Sequence, residues 1–228
     1  MTDLAQLKRQ AAEAAAEQVQ SGMVVGLGTG STAVYAVRRI GAMLADGSLQ
    51  RIWAIPTSEE TAREAQSLGI PLVSLDDHPV IDLTIDGADE IDPHLNLIKG
   101  LGGALLREKV VASASRRMIV IADERKRVDQ LGTRAPVPVE VIPFAQRPAT
   151  DYLISLGARV VERRVGDDVF ITDEGNHILD CYLPGISNPR ELDHLIHSQP
   201  GIVEHGLFLG LATEAIIAGA NGLVMMHG

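Results

Sequence analysis

Three polar clusters in the sequence each lie near the end of a predicted strand. The first is the turn Gly28-Thr29-Gly30-Ser31-Thr32, and the second is the acidic run Asp86-Gly87-Ala88-Asp89-Glu90-Ile91-Asp92. The third is Lys99-Gly100-Leu101-Gly102-Gly103, which leads into a predicted helix carrying Glu108. Because ligands bind outside the carboxyl ends of the strands in an open α/β sheet, we expect these clusters to carry the chemistry.

The first cluster is typical of a phosphate-binding loop. Closely spaced glycines let the backbone approach an anion, and amide groups at the start of a helix point at it. Thr29, Ser31 and Thr32 add hydroxyl donors. The dinucleotide fingerprint G-x-G-x-x-G fails because Ser31 occupies its last glycine position, and the Gly-Lys-Ser/Thr ending of a nucleotide P-loop is missing. A tight strand-to-helix turn without a ligand is the alternative.

The acidic run favours contacts to sugar hydroxyls over a metal site. The EF-hand pattern is absent from it, and it contains neither histidine nor cysteine. Carboxylates that accept hydrogen bonds from hydroxyl groups explain its density better. A solvated acidic loop is the other interpretation of this segment.

The helix after the third cluster places Glu108 in a row of small side chains. Ala104 precedes Glu108 by four residues and Ala112 follows it by four, so the three share one helix face. The carboxylate could therefore look inward, but a surface glutamate is an equal alternative on this evidence.

The remaining candidates for chemistry are weak. His194 and His197 are spaced i, i+3 on one predicted helix, but without a third ligand nearby we expect no zinc site and no bound metal. Cys181 is the single cysteine, which excludes an internal disulfide, and we expect it to be a buried strand residue.

Composition narrows the class of protein. The chain has 228 residues with 20 Lys and Arg against 30 Asp and Glu, a formal charge of −10 that argues against nucleic-acid binding. The N-terminal segment lacks the hydrophobic run of a signal peptide, and no apolar stretch approaches the ~20 residues needed to cross a bilayer. We therefore expect a cytoplasmic protein with no membrane contact.

The first 131 residues alternate short apolar strands with helices, which predicts a doubly wound, mostly parallel, Rossmann-like α/β domain. The predicted helices cover residues 3–20, 33–44, 58–69 and 103–114, and the predicted strands cover residues 23–27, 52–55, 71–75, 81–85 and 118–122. Two more apolar runs, 214–218 and 222–226, are predicted to be strands that return to this domain, which then comprises residues 1–131 and 207–228.

Residues 132–206 predict a smaller inserted α+β subdomain. Its expected order is strand 137–143, helix 145–156, strand 158–164, a hairpin over 169–183 turning at 173–176, a helix from Asn188 to Ser198, and strand 201–206. This βαββαβ order is ferredoxin-like. We interpret the subdomain as a lid or an oligomerisation element.

The segments GLGTGSTA, TSEET, DGADEID and KGLGGALLREK, in this order, closely resemble the A-type ribose-5-phosphate isomerase family. VPVEVIPF and ITDEGNHILD resemble that family too, so the resemblance covers nearly the whole chain. It implies a cofactor-free aldose–ketose isomerase that acts on a phosphorylated pentose and forms a homodimer or a dimer of dimers.

The resemblance also implies roles for individual residues. Glu108 matches the general base, Lys99 a lysine near the reacting oxygens, and Asp86 a carboxylate that helps to open the sugar ring. The substrate-binding positions that it implies are Lys8, Thr29, Gly30, Ser31, Thr32, Asp86, Gly87, Ala88, Asp89, Lys99, Gly100, Leu101, Gly102 and Lys126. Leu101 departs from the family, which often has glycine there, and leucine disfavours positive φ.

Two other classes of protein compete with an isomerase. A sugar-phosphate sensor domain would share the architecture but needs no proton shuttle such as Glu108. A nicotinamide-linked oxidoreductase would need the glycine fingerprint that this sequence lacks.

Overall fold

The computed structural model describes residues 3–228. The α-helices of this part of the chain are α1 Leu4–Ala16, α2 Ala33–Ala45, α3 Glu59–Ser67, α4 Leu105–Ser113, α5 Gln146–Ser155 and α6 Pro189–His197. Its strands are β1 Val24–Leu27, β2 Trp53–Pro56, β3 Leu83–Gly87, β4 Glu90–Ile91, β5 Leu97–Ile98, β6 Met118–Asp123, β7 Val137–Val141, β8 Arg159–Glu162, β9 Arg164–Val165, β10 Asp168–Val169, β11 His177–Tyr182, β12 Ile202–His205, β13 Leu207–Phe208, β14 Glu214–Gly219 and β15 Gly222–His227.

The chain divides into two compact units. The first comprises the residues up to Ala88 together with 107–126 and 210–228, and the second comprises 89–106 and 127–209. The second unit therefore includes 89–106, a segment that the sequence analysis assigned to the first domain.

The first unit is built on a six-stranded sheet in the order β15-β14-β6-β3-β1-β2. Its strands are parallel except for β15, which pairs antiparallel with β14 at the edge. The predicted mostly parallel α/β fold is confirmed, and so is the return of the last two strands to this sheet. No helix between residues 3 and 228 is both long and apolar enough to cross a membrane.

Apolar composition explains why these strands are central. All four residues of β1 and all six of β6 are buried, as expected for a parallel sheet covered on both faces. Helix α1 packs its alanines against one face, and Ala11 and Ala15 are fully buried there. Small side chains on this helix let it approach β6 and β14 closely.

One strand prediction in the first unit is wrong. Residues 71–75 form no strand, and their pairing is limited to a single parallel bridge between Leu72 and Ala54. The apolar run still packs against the core through Val73 and Leu75. Burial against the core therefore explains why residues 71–75 are apolar, although they form no strand.

The second unit contains a four-stranded antiparallel sheet in the order β12-β7-β11-β8. If the strands β7, β8, β11 and β12 are numbered 1 to 4 in chain order, their order in the sheet is 4-1-3-2. Helices α5 and α6 connect them, so the ferredoxin-like prediction is confirmed. Its core includes Val137, Val139 and Val141 from β7 and the buried Cys181 from β11.

The predicted hairpin over 169–183 is much shorter in the structure. One antiparallel bridge joins Ile171 to His177, and β11 then pairs with β7 and β8. The turn itself is present, with Gly175 at φ 79°. A small sheet in the order β13-β5-β4 was not predicted, because two-residue strands carry no readable periodicity.

Candidate active site

The first unit brings the glycine-rich turn and the start of the acidic run to a reversal in strand order. Strand β1 lies between β2 and β3, so the chain turns back at this point of the sheet. Ligands of open α/β sheets bind in the crevice outside the carboxyl ends of such strands. Residues 28–32 follow β1, and Asp86 lies at the end of β3.

Asp86 is tied to the glycine-rich turn. Its side chain is fully buried, and Oδ1 accepts hydrogen bonds from the backbone amides of Thr29 at 3.1 Å and Gly87 at 2.7 Å. A Cβ on Gly28 would lie 2.2 Å from the same oxygen. Glycine at this position is therefore required for the turn to approach Asp86 so closely.

The Thr29 side chain joins a cluster of hydroxyls that sequence reasoning did not assign to the site. Its Oγ1 lies 2.7 Å from Thr57 Oγ1, 2.9 Å from Ser58 Oγ and 3.1 Å from Thr61 Oγ1. Thr57 and Ser58 directly follow β2, the strand beside β1. Their position at the end of a strand is the signal that could have placed them near Thr29. Ser58 also caps α3 by accepting from the Thr61 amide at 3.0 Å.

A cation reaches the turn from helix α1. Lys8 Nζ donates to Ser31 Oγ at 2.8 Å, and Ser31 and Gly30 are exposed to solvent. The φ of 105° at Gly30 is one that side chains rarely adopt. Lys126, predicted to contact phosphate, is half-buried at the end of a 3-10 turn after β6.

Glu108 is buried on α4, so the alternative of a surface glutamate is wrong. Its side chain is 4% exposed, and Ala112 one turn later is also buried. Arg107 instead reaches Glu59, with 2.7 Å between Nη1 and Oε1. Within residues 3–228, Glu108 Oε2 and Asp86 Oδ2 are buried oxygens that make no hydrogen bond, although both residues have other interactions.

Lys99, in the second unit, is a buried lysine. Its side chain is 2% exposed, and Nζ lies 5.4 Å from the centroid of the Phe208 ring. The Lys99 amide donates to the Gly206 carbonyl at 2.9 Å, and a Cβ on Gly206 would meet the Lys99 carbonyl oxygen at 2.2 Å. This close backbone contact fixes the position of the Lys99 backbone, from which the side chain projects.

The loop after Lys99 is held on both sides. Asp89 Oδ2 accepts from the Leu101 amide at 3.0 Å, and Arg163 Nη1 donates to the carbonyls of Gly100 at 2.8 Å and Leu101 at 3.1 Å. Positive φ falls on Gly100 and Gly103 rather than on Leu101, so leucine causes no backbone conflict here. Gly102 lies beside it with open space around its Cα.

Part of the acidic run serves the fold. Glu90 is fully buried and accepts from the amides of Gly132 at 2.6 Å, Arg134 at 2.6 Å and Ala135 at 2.7 Å. Asp92 likewise accepts from two backbone amides of its own loop. These contacts account for two of the four carboxylates of this run, and Asp86 in the first unit and Asp89 in the second remain as separate candidates for contact with a ligand.

Comparison with known proteins gives the family. The family model of ribose 5-phosphate isomerase A (phosphoriboisomerase A) matches residues 53–222. This chain belongs to the ribose 5-phosphate isomerase A family. It is 54% identical over 221 residues to ribose-5-phosphate isomerase A of Roseiflexus castenholzii, covering 96% of this chain and 94% of that protein.

Solved structures of the ribose 5-phosphate isomerase A family have the same fold. A D-ribose-5-phosphate isomerase in complex with phospho-erythronic acid superposes with a TM-score of 0.97 at 38% identity, covering all of both chains. Ribose 5-phosphate isomerase from Plasmodium falciparum gives a TM-score of 0.96 at 40% identity, covering 98% of this chain and 99% of that one.

Proposed function

We propose that this protein catalyses the reversible interconversion of D-ribose 5-phosphate and D-ribulose 5-phosphate. Membership of the ribose 5-phosphate isomerase A family over nearly the whole chain carries this conclusion. The phospho-erythronic acid bound to a solved relative is a phosphorylated sugar acid, in keeping with a phosphorylated pentose as the substrate here.

The proposed chemistry is a proton transfer between two neighbouring carbons. Glu108 removes the proton from C2 of the open-chain aldose, and the electron pair forms the C1–C2 double bond of a cis-enediolate. As that double bond forms, the π electrons of the C1 carbonyl move onto O1. The proton then returns from Glu108 to C1, the proton of the C2 hydroxyl passes to O1, and the C2 oxygen becomes the ketone. One carboxylate on one face of the sugar can perform both transfers.

Lys99 is proposed to stabilise the negative charge that develops on the substrate oxygens. A cation fixed beside a developing oxyanion acts without reorganisation at the moment of reaction. Burial of the Lys99 side chain and its backbone contact with Gly206 support a fixed position within the second unit.

Asp86 is proposed to open the furanose ring by accepting the proton of the anomeric hydroxyl, with return of a proton to the ring oxygen. Asp89 is proposed to bind sugar hydroxyls. Lys8, the turn 28–32 and Lys126 are proposed to bind the phosphate. The Lys8–Ser31 contact and the exposure of Gly30 and Ser31 to solvent support that assignment.

The test is turnover of ribose 5-phosphate by the purified protein with EDTA present and no cofactor added. Glu108→Gln keeps the shape of the side chain but cannot accept the proton, so we expect kcat to fall by about 10²–10⁴ with little change in KM. Glu13→Gln, on the surface of α1, is the control and should be as active as the wild type. Near-normal turnover by Glu108→Gln would exclude Glu108 as the base, and binding without turnover by the wild type would favour a sensor.

The proposal also covers the oligomeric state and the cellular location of the protein. A homodimer or a dimer of dimers is expected, with the ferredoxin-like subdomain as a lid or an oligomer contact, and light scattering of the purified protein measures the copy number. A cytoplasmic location is proposed as well, and cell fractionation tests it.

A further inference from the structure

A cluster of two histidines and an aspartate lies in the second unit, between α6 and the end of β12. Asp193 and His197 are one turn apart on α6, and His205 ends β12. His205 Nε2 lies 3.1 Å from Asp193 Oδ1 and 3.1 Å from His197 Nδ1, and the latter two atoms are 3.6 Å apart. The sequence analysis paired His197 with His194 instead, because His205 lies on the next element and reaches α6 only in the folded unit.

These separations of 3.1–3.6 Å are close to those of ligand atoms around one small ion. Zinc binds histidine nitrogen and carboxylate oxygen at about 2.0–2.2 Å in a tetrahedral arrangement, which places neighbouring ligand atoms about 3.3–3.5 Å apart. We propose that Asp193 Oδ1, His197 Nδ1 and His205 Nε2 bind a zinc ion, with water as the fourth ligand.

The surroundings of His197 match the outer shell of a zinc site. Metal-binding histidines commonly donate their second ring N–H to a carboxylate, which fixes the ring. His197 Nε2 lies 3.1 Å from Glu204 Oε1, and that oxygen also accepts from the His205 amide at 2.8 Å. Glu204 therefore holds the His197 ring with Nδ1 directed at the other two ligands.

Burial and electrostatics also favour a cation here. His205 is fully buried, whereas the His197 side chain is 42% exposed and that of Asp193 is 29% exposed, so an ion can enter from solvent and keep a water. His197 is the last residue of α6, where the helix dipole attracts positive charge. The ion would join α6 to β12 and so stabilise the second unit.

Two existing contacts oppose the ion. His197 Nδ1 lies 3.1 Å from the backbone carbonyl oxygen of Asp193, which favours a proton on this nitrogen over a metal. The Leu207 amide donates to His205 Nδ1 at 3.2 Å, so the proton of the neutral ring resides on Nε2. Zinc at Nε2 moves that proton to Nδ1 and ends this hydrogen bond. The buried Leu207 amide would then face a second donor, which lowers the affinity by about fivefold to a hundredfold, and the bonds from three ligands to zinc must exceed this cost.

The experiment uses the full chain after removal of metals with EDTA. Zinc binding is followed by calorimetry, and Co²⁺ is added as a spectroscopic probe because its visible absorption reports tetrahedral coordination. We expect one zinc per chain, a rise in melting temperature with zinc, and a tetrahedral cobalt spectrum.

The variants decide between this site and adventitious binding. His197→Ala and Asp193→Asn should each weaken zinc binding by more than about tenfold, since even outer-shell changes cost that much. His194→Ala removes an exposed histidine of the same helix and should bind zinc as the wild type does. No binding by the wild type, or equal binding by His197→Ala and the wild type, overturns the proposal. The experiment measures zinc binding and not turnover of ribose 5-phosphate. If the proposed isomerase activity proves wrong, the result on zinc binding still stands.

Discussion

Arg163 donates a hydrogen bond at 2.8 Å to the carbonyl oxygen of Gly100, the residue directly after Lys99. The guanidinium also pairs with Asp180, where Nε lies 3.0 Å from Oδ2, and both side chains are largely buried. A planar fork that contacts a carboxylate and two carbonyls at once holds the loop more rigidly than a point charge can. Arg163 therefore holds the loop that follows Lys99, the residue proposed to stabilise the developing charge.

Arg163→Lys should lower kcat for ribose 5-phosphate by about tenfold to a hundredfold, because small displacements of a catalytic group cost this much. Lysine keeps the charge but cannot make the contacts to Asp180 and to both carbonyls at once, so we expect the melting temperature to fall by a few degrees while KM changes little. Arg164→Lys is the matched control, since Arg164 is exposed and pairs with Glu162. Equal kcat values for the two variants would show that Arg163 does not position the loop.

Lys8→Met should raise KM for ribose 5-phosphate by about tenfold and leave kcat nearly unchanged. The variant removes the cation that reaches Ser31, and a hydrogen bond to a charged group contributes about 1.5–3 kcal/mol. Arg9→Met, on the same helix and paired with Glu13 on the surface, should keep the wild-type KM. A KM that is unchanged in Lys8→Met would place the phosphate elsewhere.

Glu90→Gln should destabilise the protein by about 2–4 kcal/mol, because one of three backbone amides would then face an amide group that donates rather than accepts. Chemical denaturation measures the free energy of unfolding. Asp129→Asn is the control, because Asp129 is exposed and lies three residues before Gly132. It should leave the free energy of unfolding unchanged. A neutral Glu90→Gln would mean that its three hydrogen bonds add little to stability.

The Cys181 thiol should resist alkylation in the folded protein at pH 8. Burial, followed by the nearby Asp180 charge, raises the pKa of this thiol to about 12. The reactive thiolate is therefore scarce until the pH approaches that value. Iodoacetamide labelling followed by mass spectrometry should modify the unfolded chain rapidly and the native chain at a rate lower by several orders of magnitude. Comparable rates would show that the residue is accessible.

The sequence could place several candidate site residues in the fold because the signals are local. A glycine-rich turn after an apolar strand predicts a close backbone approach, and in the structure Asp86 indeed lies against Gly28. The family motifs also stood in unbroken segments of sequence. The hydroxyl cluster around Thr29 was missed because strand order, which is invisible in a linear pattern, places β2 beside β1.

The sequence by itself determined the fold class, the ferredoxin-like insertion and the family, since apolar periodicity and contiguous motifs are properties of neighbouring residues. Only the tertiary structure decided which carboxylates support the fold, that Glu108 is buried, and that Arg163 holds the loop at Gly100. It also brought His205 to Asp193 and His197. The physical reason is that burial and long-range hydrogen bonding depend on which elements pack together, and residues far apart in the chain meet only after the sheets have formed.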